Sequence, residues 1–254
     1  MRVMLIVEYD GTNYAGWQRQ NNALSVQQVL EEAIERATGC VVSVTGAGRT
    51  DSGVHAVGQC AHFDIETTIP ADKLAFALNL VLPEDIRIRE SRKVRDDFHA
   101  RKHAIGKHYR YNIFNAVHDC AINRHYCTHV RYPLDVEAMK IAASYIKGTH
   151  DFACFQAAGS TEMKSTVRTV TDIDVKKIGD FVYIDVKGTG FLYNMVRIIA
   201  GTLLEVGKGR RKADSIPAVI ASCDRSTAGP TAPAKGLTMV SVTYPHNCFI
   251  NKKQ

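Results

Sequence analysis

The sequence predicts an α+β fold in which two ferredoxin-like α/β halves, each with a largely antiparallel sheet, are joined in one protein. The elements of residues 3–94 follow the order β-α-β-β-α-β, which is that of a ferredoxin-like unit. The rest of the chain repeats strands and helices with insertions. The length of 254 residues, of which 45% are hydrophobic and 23% charged, is enough for one large globular domain or two of ordinary size.

The first half begins with an apolar strand at 3–9, followed by a loop at 10–22 that contains the single tryptophan, Trp17. Ser25 is a suitable N-cap for a helix that runs to about Ala37, because apolar residues follow it at helical spacing. The remaining elements of this half follow in order: strands at 41–45 and 57–65, a helix at 71–80 and a strand at 86–94.

The second half starts after a boundary at 104–107, and its elements are predicted from apolar spacing and turn residues. They are a strand at 109–114, a helix at 134–146, a hairpin of strands 167–175 and 181–186, helices at 192–206 and 214–222, and a strand at 237–244. We therefore divide the chain into an N-terminal half at 1–105, a C-terminal half at 106–246 and a loose tail at 247–254.

Composition excludes several classes of protein. The sequence has no run of about 18 apolar residues, so we expect no membrane span. Its N-terminus lacks the apolar stretch and cleavage site of a signal peptide. The seven cysteines are odd in number and include no Cys-x-x-Cys pair, which indicates reduced thiols and a cytoplasmic protein.

Positive charge is concentrated in two segments. The formal net charge is +6, and residues 87–110 contain nine Lys or Arg against three acidic residues, interleaved with histidines and with Phe98 and Tyr109. A second basic cluster lies at 208–212. Solvated charged faces are the ordinary explanation of either segment. Two such segments with aromatic residues among them nevertheless favour nucleic acid as a partner.

The segment from Gly46 to Ala56 combines three glycines with an arginine, an aspartate and a histidine. Glycine at this density allows unusual backbone conformations and lets another molecule approach closely. Asp51, two residues after Arg49, is either a working carboxylate on a rigid scaffold or a solvated residue in a connection between strands. The segment alone leaves both interpretations open.

A second group has the chemistry of metal ligands. Its members alternate in part along the chain and are His118, Cys120, His125, Cys127 and His129. A soft divalent ion takes such ligands, but neither Cys-x-x-Cys nor His-x-Glu is present. We favour scattered polar and small core residues here and expect no metal site.

Several short motifs resemble, in their order and spacing, those of the tRNA pseudouridine synthase A (TruA) family over nearly the whole chain. They are Gly48-Arg49-Thr50-Asp51-Ser52-Gly53-Val54-His55-Ala56, Phe98-His99-Ala100-Arg101, Lys107-His108-Tyr109-Arg110-Tyr111, Gly148-Thr149-His150-Asp151-Phe152, Gly190-Phe191-Leu192-Tyr193-Asn194-Met195-Val196-Arg197 and Asp224-Arg225-Ser226-Thr227-Ala228-Gly229-Pro230-Thr231-Ala232-Pro233. Ser52 stands where the family more often has alanine. The resemblance implies a catalytic domain of the pseudouridine-synthase type.

The resemblance also implies roles for individual residues. Asp51 matches the essential aspartate, which attacks C1′ of a uridine or removes the C2′ proton; the sequence does not choose between these routes. Arg197 matches the arginine that pairs with this aspartate, and Tyr109 the tyrosine that packs on the target base. Arg49 is expected to help hold the flipped nucleotide. The remaining residues expected to bind substrate are Gly48, Thr50 and His55.

The implied reaction is an isomerisation, so we expect no small-molecule cofactor and no metal. The implied partner is the anticodon arm of tRNA, with modification at positions 38 to 40 by a homodimer. Two alternatives come from other classes. A non-catalytic RNA-binding protein would not need Asp51, Arg197 and Tyr109 together, and a zinc nucleobase deaminase would need a signature that is missing.

Overall fold

The computed structural model describes residues 1–159 and 165–249, and these form two compact units. Among the described residues, the first unit contains residues 1–105 and 239–249, and the second contains residues 106–238. The main elements in chain order are β1 (Arg2–Tyr9), α1 (Val26–Thr38), β2 (Thr45–Gly46), β3 (His55–Asp64), α2 (Leu74–Asn79), β4 (Ile86–Lys93), β5 (Gly106–Phe114), β6 (Thr128–His129), α3 (Val136–Ser144), β7 (Gly148–Asp151), β8 (Val167–Ile178), β9 (Phe181–Gly188), α4 (Met195–Gly207), α5 (Ile216–Ser222) and β10 (Leu237–Thr243).

The sheet of the first unit has the strand order β4-β1-β3-β10, and the short β2 pairs with β3. Strand β1 runs antiparallel to both β3 and β4. Val7 lies opposite Gln59, so these two side chains share one face of the sheet, and the register shifts beyond this pair, where Tyr9 lies opposite Ala56. The α+β prediction is confirmed, and the predicted order of elements in this half matches the observed one.

Two elements of the first unit differ in extent from the prediction. Helix α1 begins after Ser25, whose Oγ accepts the N–H of Gln28 at 3.3 Å, as predicted. The predicted strand at 41–45 is wrong over most of its length, because only β2 pairs with a neighbour. Val41 is 82% exposed, so its β-branched side chain has nothing to pack against, and strand propensity depends on such packing. Helix α2 is also shorter than the predicted range 71–80.

The second unit has the strand order β5-β9-β8-β7, and β6 pairs with β5 in parallel. Strands β8 and β9 form the predicted hairpin, and β9 is antiparallel to β5. Helices α3 and α4 pack against each other, and α3 packs on β8. The core contains the buried faces of β5 and β9 together with most of α4.

The predicted boundaries in the second unit shift by two to three residues. Helix α3 begins at Val136 because Asp135 is its N-cap and accepts the N–H of Ala138 at 2.9 Å. Helix α4 begins at Met195, because Asn194 has a φ of +59° and interrupts the predicted helix. The short strands β6 and β7 were not predicted, since two to four residues have no readable periodicity.

The final strand and the tail differ most from the predicted division of the chain. Residues 239–246, which we expected in the C-terminal half, belong to the first unit. The tail prediction does not hold for residues 247–249, because Cys248 is 9% exposed and Phe249 packs in an apolar cluster with Phe98 and Tyr244. Residues 250–254 lie outside the described residues. No helix within the described ranges is long and apolar enough to cross a membrane.

Candidate active site

The loop that carries Asp51 joins β2 to β3 in the first unit. The carbonyl oxygen of Asp51 accepts the backbone N–H of Val54 at 3.1 Å, which closes a tight turn. The side chain of Asp51 is half-buried at this turn. A closed turn limits the directions in which the Asp51 carboxylate can point, whereas an open surface loop would not.

The segment 10–17, directly after β1, packs against the beginning of this turn. Gly16 has a φ of +90°, and a Cβ at this position would collide with the carbonyl group of Thr50. Trp17 donates its backbone N–H to the same carbonyl oxygen at 3.1 Å. The residue directly before Asp51 is therefore held by a backbone contact that no side chain at position 16 would permit.

The same segment contacts the end of the turn through Gly11 and His55. A Cβ on Gly11 would collide with the carbonyl oxygen of Val54, and the Gly11 N–H donates to Nδ1 of His55 at 3.0 Å. That Nδ1 also lies 3.1 Å from Oδ1 of Asp10, which already accepts the N–H of Thr12 at 2.9 Å. Buried in this way, His55 shapes the loop, and its role in substrate binding stays a prediction.

Two buried polar side chains contact the loop from the sheet. The hydroxyl of Tyr9 lies 2.8 Å from Oγ1 of Thr50, and both residues are buried. Nε2 of Gln59 donates to the carbonyl oxygen of Gly48 at 2.8 Å. Burial raises the pKa of Tyr9, so its hydroxyl stays protonated and able to donate. Hydrogen bonds within the protein thus hold Gly48 and Thr50, both of which are predicted to bind substrate.

Arg49 extends from the same loop and is exposed. Its Nε donates to Oε1 of Gln18 at 3.3 Å, and Nε2 of Gln18 donates to Oε1 of Gln27 at 2.8 Å. Gln27 lies on α1, so this chain of two amides connects the guanidinium to a helix. The arrangement limits the directions that the Arg49 side chain can take.

Tyr109 lies on β5 in the second unit, on the buried face of the sheet. It stands opposite Val186 of β9 and is 7% exposed. The ring of Phe191 meets it edge to face, with centroids 5.3 Å apart and an interplanar angle of 90°. Strand register and this aromatic contact together fix the plane of the Tyr109 ring.

Arg197 lies in the first turn of α4 and is half-buried between buried helix neighbours. Its Nη1 donates to Oδ1 of Asn194 at 2.7 Å, and its Nε donates to the carbonyl oxygen of Ala232 at 2.8 Å. Ala232 in turn donates its N–H to the carbonyl oxygen of Arg197 at 3.1 Å. The guanidinium is therefore aimed by its own helix and by the segment that contains Ala232.

Comparison with known proteins decides the family of the chain. The sequence model of the family described as tRNA pseudouridine synthase matches residues 5–101 and 142–245, which is well over half of the chain. The chain belongs to the tRNA pseudouridine synthase family. Asp51 and Arg197 lie within the matched ranges of this synthase, and Tyr109 lies between them.

Proteins named tRNA pseudouridine synthase A in three organisms are similar to this synthase over nearly their whole length. That of Acetivibrio thermocellus is 53% identical over 242 residues, which are 95% of this chain and 99% of that protein. That of Thermoanaerobacter sp. (strain X514) is 52% identical over 242 residues, with the same two coverages of 95% and 99%. That of Brevibacillus brevis is 49% identical over 243 residues, 96% of this chain and 99% of that protein. The resemblance inferred from the motifs is confirmed.

The predicted site residues of the synthase fall into two groups. Those in one loop of the first unit are Gly48, Arg49, Thr50, Asp51 and His55. Tyr109 and Arg197 lie on regular elements of the second unit. That Tyr109 and Arg197 act together with Asp51 remains a prediction, which variants of Arg197 test below.

The histidine and cysteine group at 118–129 of the synthase is only partly assembled. The sulfur atoms of Cys120 and Cys127 lie 3.4 Å apart, and burial raises the pKa of Cys127 to about 12. Nε2 of His129 instead lies 2.8 Å from the carbonyl oxygen of Ala116. Within residues 1–159 and 165–249, no three or more His, Cys, Asp or Glu side chains are placed to hold a metal ion.

Sequence reasoning missed the supports of the Asp51 loop. Gly11, Gly16 and Trp17 were taken as parts of an ordinary loop, and Tyr9 and Gln59 as ordinary strand residues. Gly11 and Gly16, which lie on either side of Tyr14 shortly after a strand, were an available signal, because glycine marks close approach of another backbone. Gln59 on the otherwise apolar face of β3 was the second such signal.

Proposed function

We propose that this synthase converts uridine to pseudouridine in the anticodon arm of tRNA, at positions 38 to 40. The observation that carries the proposal is Asp51, a half-buried carboxylate on a closed turn in a chain that belongs to this family. The names of the similar proteins support tRNA as the substrate, and the resemblance of the motifs supports the anticodon arm.

The reaction breaks the N1–C1′ bond of uridine and rejoins the base through C5. Bond breaking leaves positive charge on the ribose, and a nearby carboxylate stabilises such a centre, as in glycoside hydrolysis. Asp51 either attacks C1′ or removes the C2′ proton. In both routes the base turns while detached and C5 bonds to C1′. In the first route this displaces the Asp51 carboxylate from C1′, and in the second the carboxyl group of Asp51 returns its proton to C2′. The proton then lost from C5 is balanced by the one that N1 takes up, so the product is an isomer of uridine. No electrons and no atoms are gained, so the protein needs only to position groups and move protons.

Arg197 supports this chemistry by keeping the carboxylate of Asp51 ionised. A carboxylate removed from water beside RNA phosphates tends to take up a proton, whereas an adjacent cation favours its charged form. The bonds of Arg197 to Asn194 and Ala232 hold the guanidinium in one direction before substrate arrives. A preorganised cation of this kind costs no reorganisation when the reaction begins.

Tyr109 provides an aromatic face for the detached base. Stacking tolerates rotation of the base in its own plane, which the reaction requires. The edge contact with Phe191 keeps the ring from turning with the base. The hydroxyl of Tyr109 is a second candidate group, for removal of the C5 proton.

Arg49 and the basic segment at 87–110 supply contacts to RNA. A uridine in a stem is stacked, so the enzyme must flip it out, and an arginine can hold the flipped nucleotide or fill the space that it leaves. Arg101 and Lys102 are exposed, and their backbone N–H groups both donate to Nδ1 of His99, at 3.2 and 3.4 Å. Contacts to phosphates recognise the shape of an RNA arm rather than its bases.

The wider proposal includes a homodimer and a cytoplasmic location, both by resemblance to the family. The alternative, a non-catalytic RNA-binding protein, is not favoured, because binding alone does not require a held carboxylate such as Asp51. Catalysis and binding are separated by one experiment.

The experiment is tritium release from tRNA labelled at C5 of uridine, with wild type compared with Asp51→Asn. We expect release from wild type and a loss of at least about 1,000-fold in the variant, because an amide can neither attack C1′ nor accept a proton. Filter binding should show that the variant still binds tRNA.

Asp72→Asn is the matched control, since Asp72 is an exposed carboxylate of the same unit. It should release tritium as wild type does. Equal release from wild type and Asp51→Asn would overturn the proposal, and tRNA binding without any release from wild type would favour the binding protein.

A further inference from the structure

Two buried polar side chains meet the Asp51 loop from one face of the sheet. Tyr9 is 2% exposed and Gln59 is fully buried. Val7 lies opposite Gln59 on the neighbouring strand, so Tyr9, two residues after Val7, projects on the same face beside it. Neither side chain can reach substrate from this position.

Their contacts fall on both sides of Arg49. Gln59 holds the carbonyl oxygen of Gly48, and Tyr9 holds the hydroxyl of Thr50. Since the carbonyl oxygen of Thr50 also accepts the N–H of Trp17, three atoms directly before Asp51 are fixed. The backbone that enters Asp51 therefore has little freedom to rotate.

Packing alone does not explain why these two side chains are polar. Oε1 of Gln59 is buried and makes no hydrogen bond of good geometry within the described part of the chain. A buried polar group that lacks a hydrogen-bond partner destabilises a fold, and an apolar residue of similar size would avoid this cost. What a phenyl or aliphatic side chain could not provide is direction, because only hydrogen bonds fix the orientation of Gly48 and Thr50.

We infer that Tyr9 and Gln59 are positioning residues for Asp51, acting through Thr50 and Gly48 on the chemical step rather than on tRNA binding. The inference rests on the proposed function, since it assigns Asp51 to the reaction. A displacement of about 1 Å in a reacting group can reduce a rate by about 100-fold. Loss of the Tyr9 hydroxyl should therefore reduce kcat by about 10- to 100-fold and leave the Kd for tRNA within about twofold of wild type.

The primary test is Tyr9→Phe, which removes one oxygen from a buried side chain. Its kcat is measured by tritium release at saturating tRNA, its Kd by filter binding, and its stability by urea unfolding. Gln59→Met, which keeps the length of the side chain but removes the donor to Gly48, should lower kcat in the same way. Because the two variants lie on different strands, the inference can still be tested if one of them does not fold.

The matched control is Tyr244→Phe. Tyr244 is a buried tyrosine of the same unit whose hydroxyl donates to the carbonyl oxygen of Ala100 at 2.6 Å, away from the loop. Its loss should lower stability about as much as Tyr9→Phe does and leave kcat within about twofold of wild type. A purely structural role of Tyr9 would give both variants the same kcat.

A double-variant cycle tests whether Tyr9 acts through Thr50. Thr50→Val removes the hydroxyl at constant shape. We expect Tyr9→Phe/Thr50→Val to lose no more activity than the more severely affected of the two single variants, because both substitutions remove the same contact. Thr50→Ser, which keeps the hydroxyl, should recover most of the activity that Thr50→Val loses.

The outcomes separate this inference from the proposed function. A kcat for Tyr9→Phe within about twofold of wild type, or losses in Tyr9→Phe and Thr50→Val that simply multiply, would overturn the inference while release still depends on Asp51. Release that is independent of Asp51 would instead overturn the proposed function. An equal loss in Tyr244→Phe would reduce Tyr9 to a structural residue.

Discussion

Asp51 and Arg197 are predicted to act in one reaction, yet the chain holds them in different ways. Asp51 lies on a loop that is supported by segment 10–17 and by side chains of two strands. Arg197 lies on a helix and is supported by Asn194, three residues before it, and by Ala232. The difference teaches that the position of a loop-borne group such as Asp51 depends on distant parts of the sequence, whereas the position of Arg197 follows from its helix and only one of its supports, Ala232, is distant in sequence.

The comparison predicts where substitutions act. Near Arg197, we expect most of the effect of a substitution to come from loss of the guanidinium itself. Near Asp51, residues that never touch substrate should also lower kcat, because Asp51 itself lies on a loop outside any helix or strand. The following predictions would break or sharpen this contrast.

Arg197→Ala should have the largest effect of these, a fall in kcat of more than about 100-fold in a folded protein. The reason is that the proposed role of Arg197 is to supply a preorganised positive charge to the Asp51 carboxylate during the reaction, and alanine removes that charge. Tritium release measures kcat, and circular dichroism checks that α4 persists. Near wild-type turnover would show that Arg197 does not act on Asp51.

Arg197→Lys refines the same prediction. Lysine keeps the charge but cannot reproduce the planar guanidinium that bonds Asn194 and Ala232 together. We expect a kcat between those of wild type and Arg197→Ala, measured by tritium release. If the two variants were equally inactive, the geometry of Arg197 rather than its charge would be the important property.

Gly16→Ala should have the second largest effect, since it tests the remote support of the loop. A methyl group there would collide with the carbonyl group of Thr50 at a φ of +90°. We expect the free energy of unfolding to fall by about 2 to 4 kcal/mol and kcat by about tenfold or more, measured by urea unfolding and tritium release.

Gly39→Ala is the matched control for this prediction. Gly39 also has a positive φ, +73°, but a Cβ there would meet nothing within 4 Å. It should lose only about 1 kcal/mol of stability and keep wild-type kcat. If both variants lost activity equally, the effect would come from backbone strain in general, and the contrast between the loop and the rest of the chain would fail.

The same contrast explains what the sequence could and could not predict. The start of α1 at Ser25 and the β8–β9 hairpin follow from local patterns, and the structure confirms both. The Asp51 loop was singled out because its glycines and charges are adjacent in sequence. Helix α4 was predicted with an error of three residues at Asn194, whose positive φ has no local signature.

What remained unpredicted depends on partners far away in sequence. Strand β2 pairs with β3 over only two residues, and Val41 is 82% exposed. Tyr9 and Gln59 read as ordinary strand residues until the register of β1 and β3 is known. Phe249 read as part of a tail, because nothing near it in sequence shows the apolar cluster that it joins.

The smallest predicted effect concerns the pH dependence of stability, which should differ between the two units. His62 in the first unit is 6% exposed, its Nδ1 accepts the N–H of Ala100 at 3.2 Å, and its ring lies 4.9 Å from that of His99. Burial, with smaller contributions from His99 and Arg2, lowers the pKa of His62 to about 4, although Asp64 opposes this. The unfolded chain therefore binds more protons than the folded one between about pH 6.5 and 4, so stability falls as the pH drops through this window.

The second unit should respond only at lower pH. Burial tends to raise the pKa of Asp185, but hydrogen bonds from Arg110 and His108 outweigh it, so this pKa lies below its ordinary value of 3.8. The stability that this carboxylate contributes is present above pH 3.8 and is lost as the pH falls through the lower folded value. Its loss thus begins where that of His62 is nearly complete.

Hydrogen exchange of the two units at pH 7 and pH 5 measures this difference. The first unit should lose about 1 to 2 kcal/mol of protection at pH 5, and the second unit should change less. His62→Gln offers an amide oxygen to the N–H of Ala100 and does not titrate, so it should remove most of the loss in the first unit. An unchanged loss in that variant would assign the acid sensitivity to other groups and leave His62 as a neutral packing residue, whose burial then has no bearing on how the Asp51 unit responds to pH.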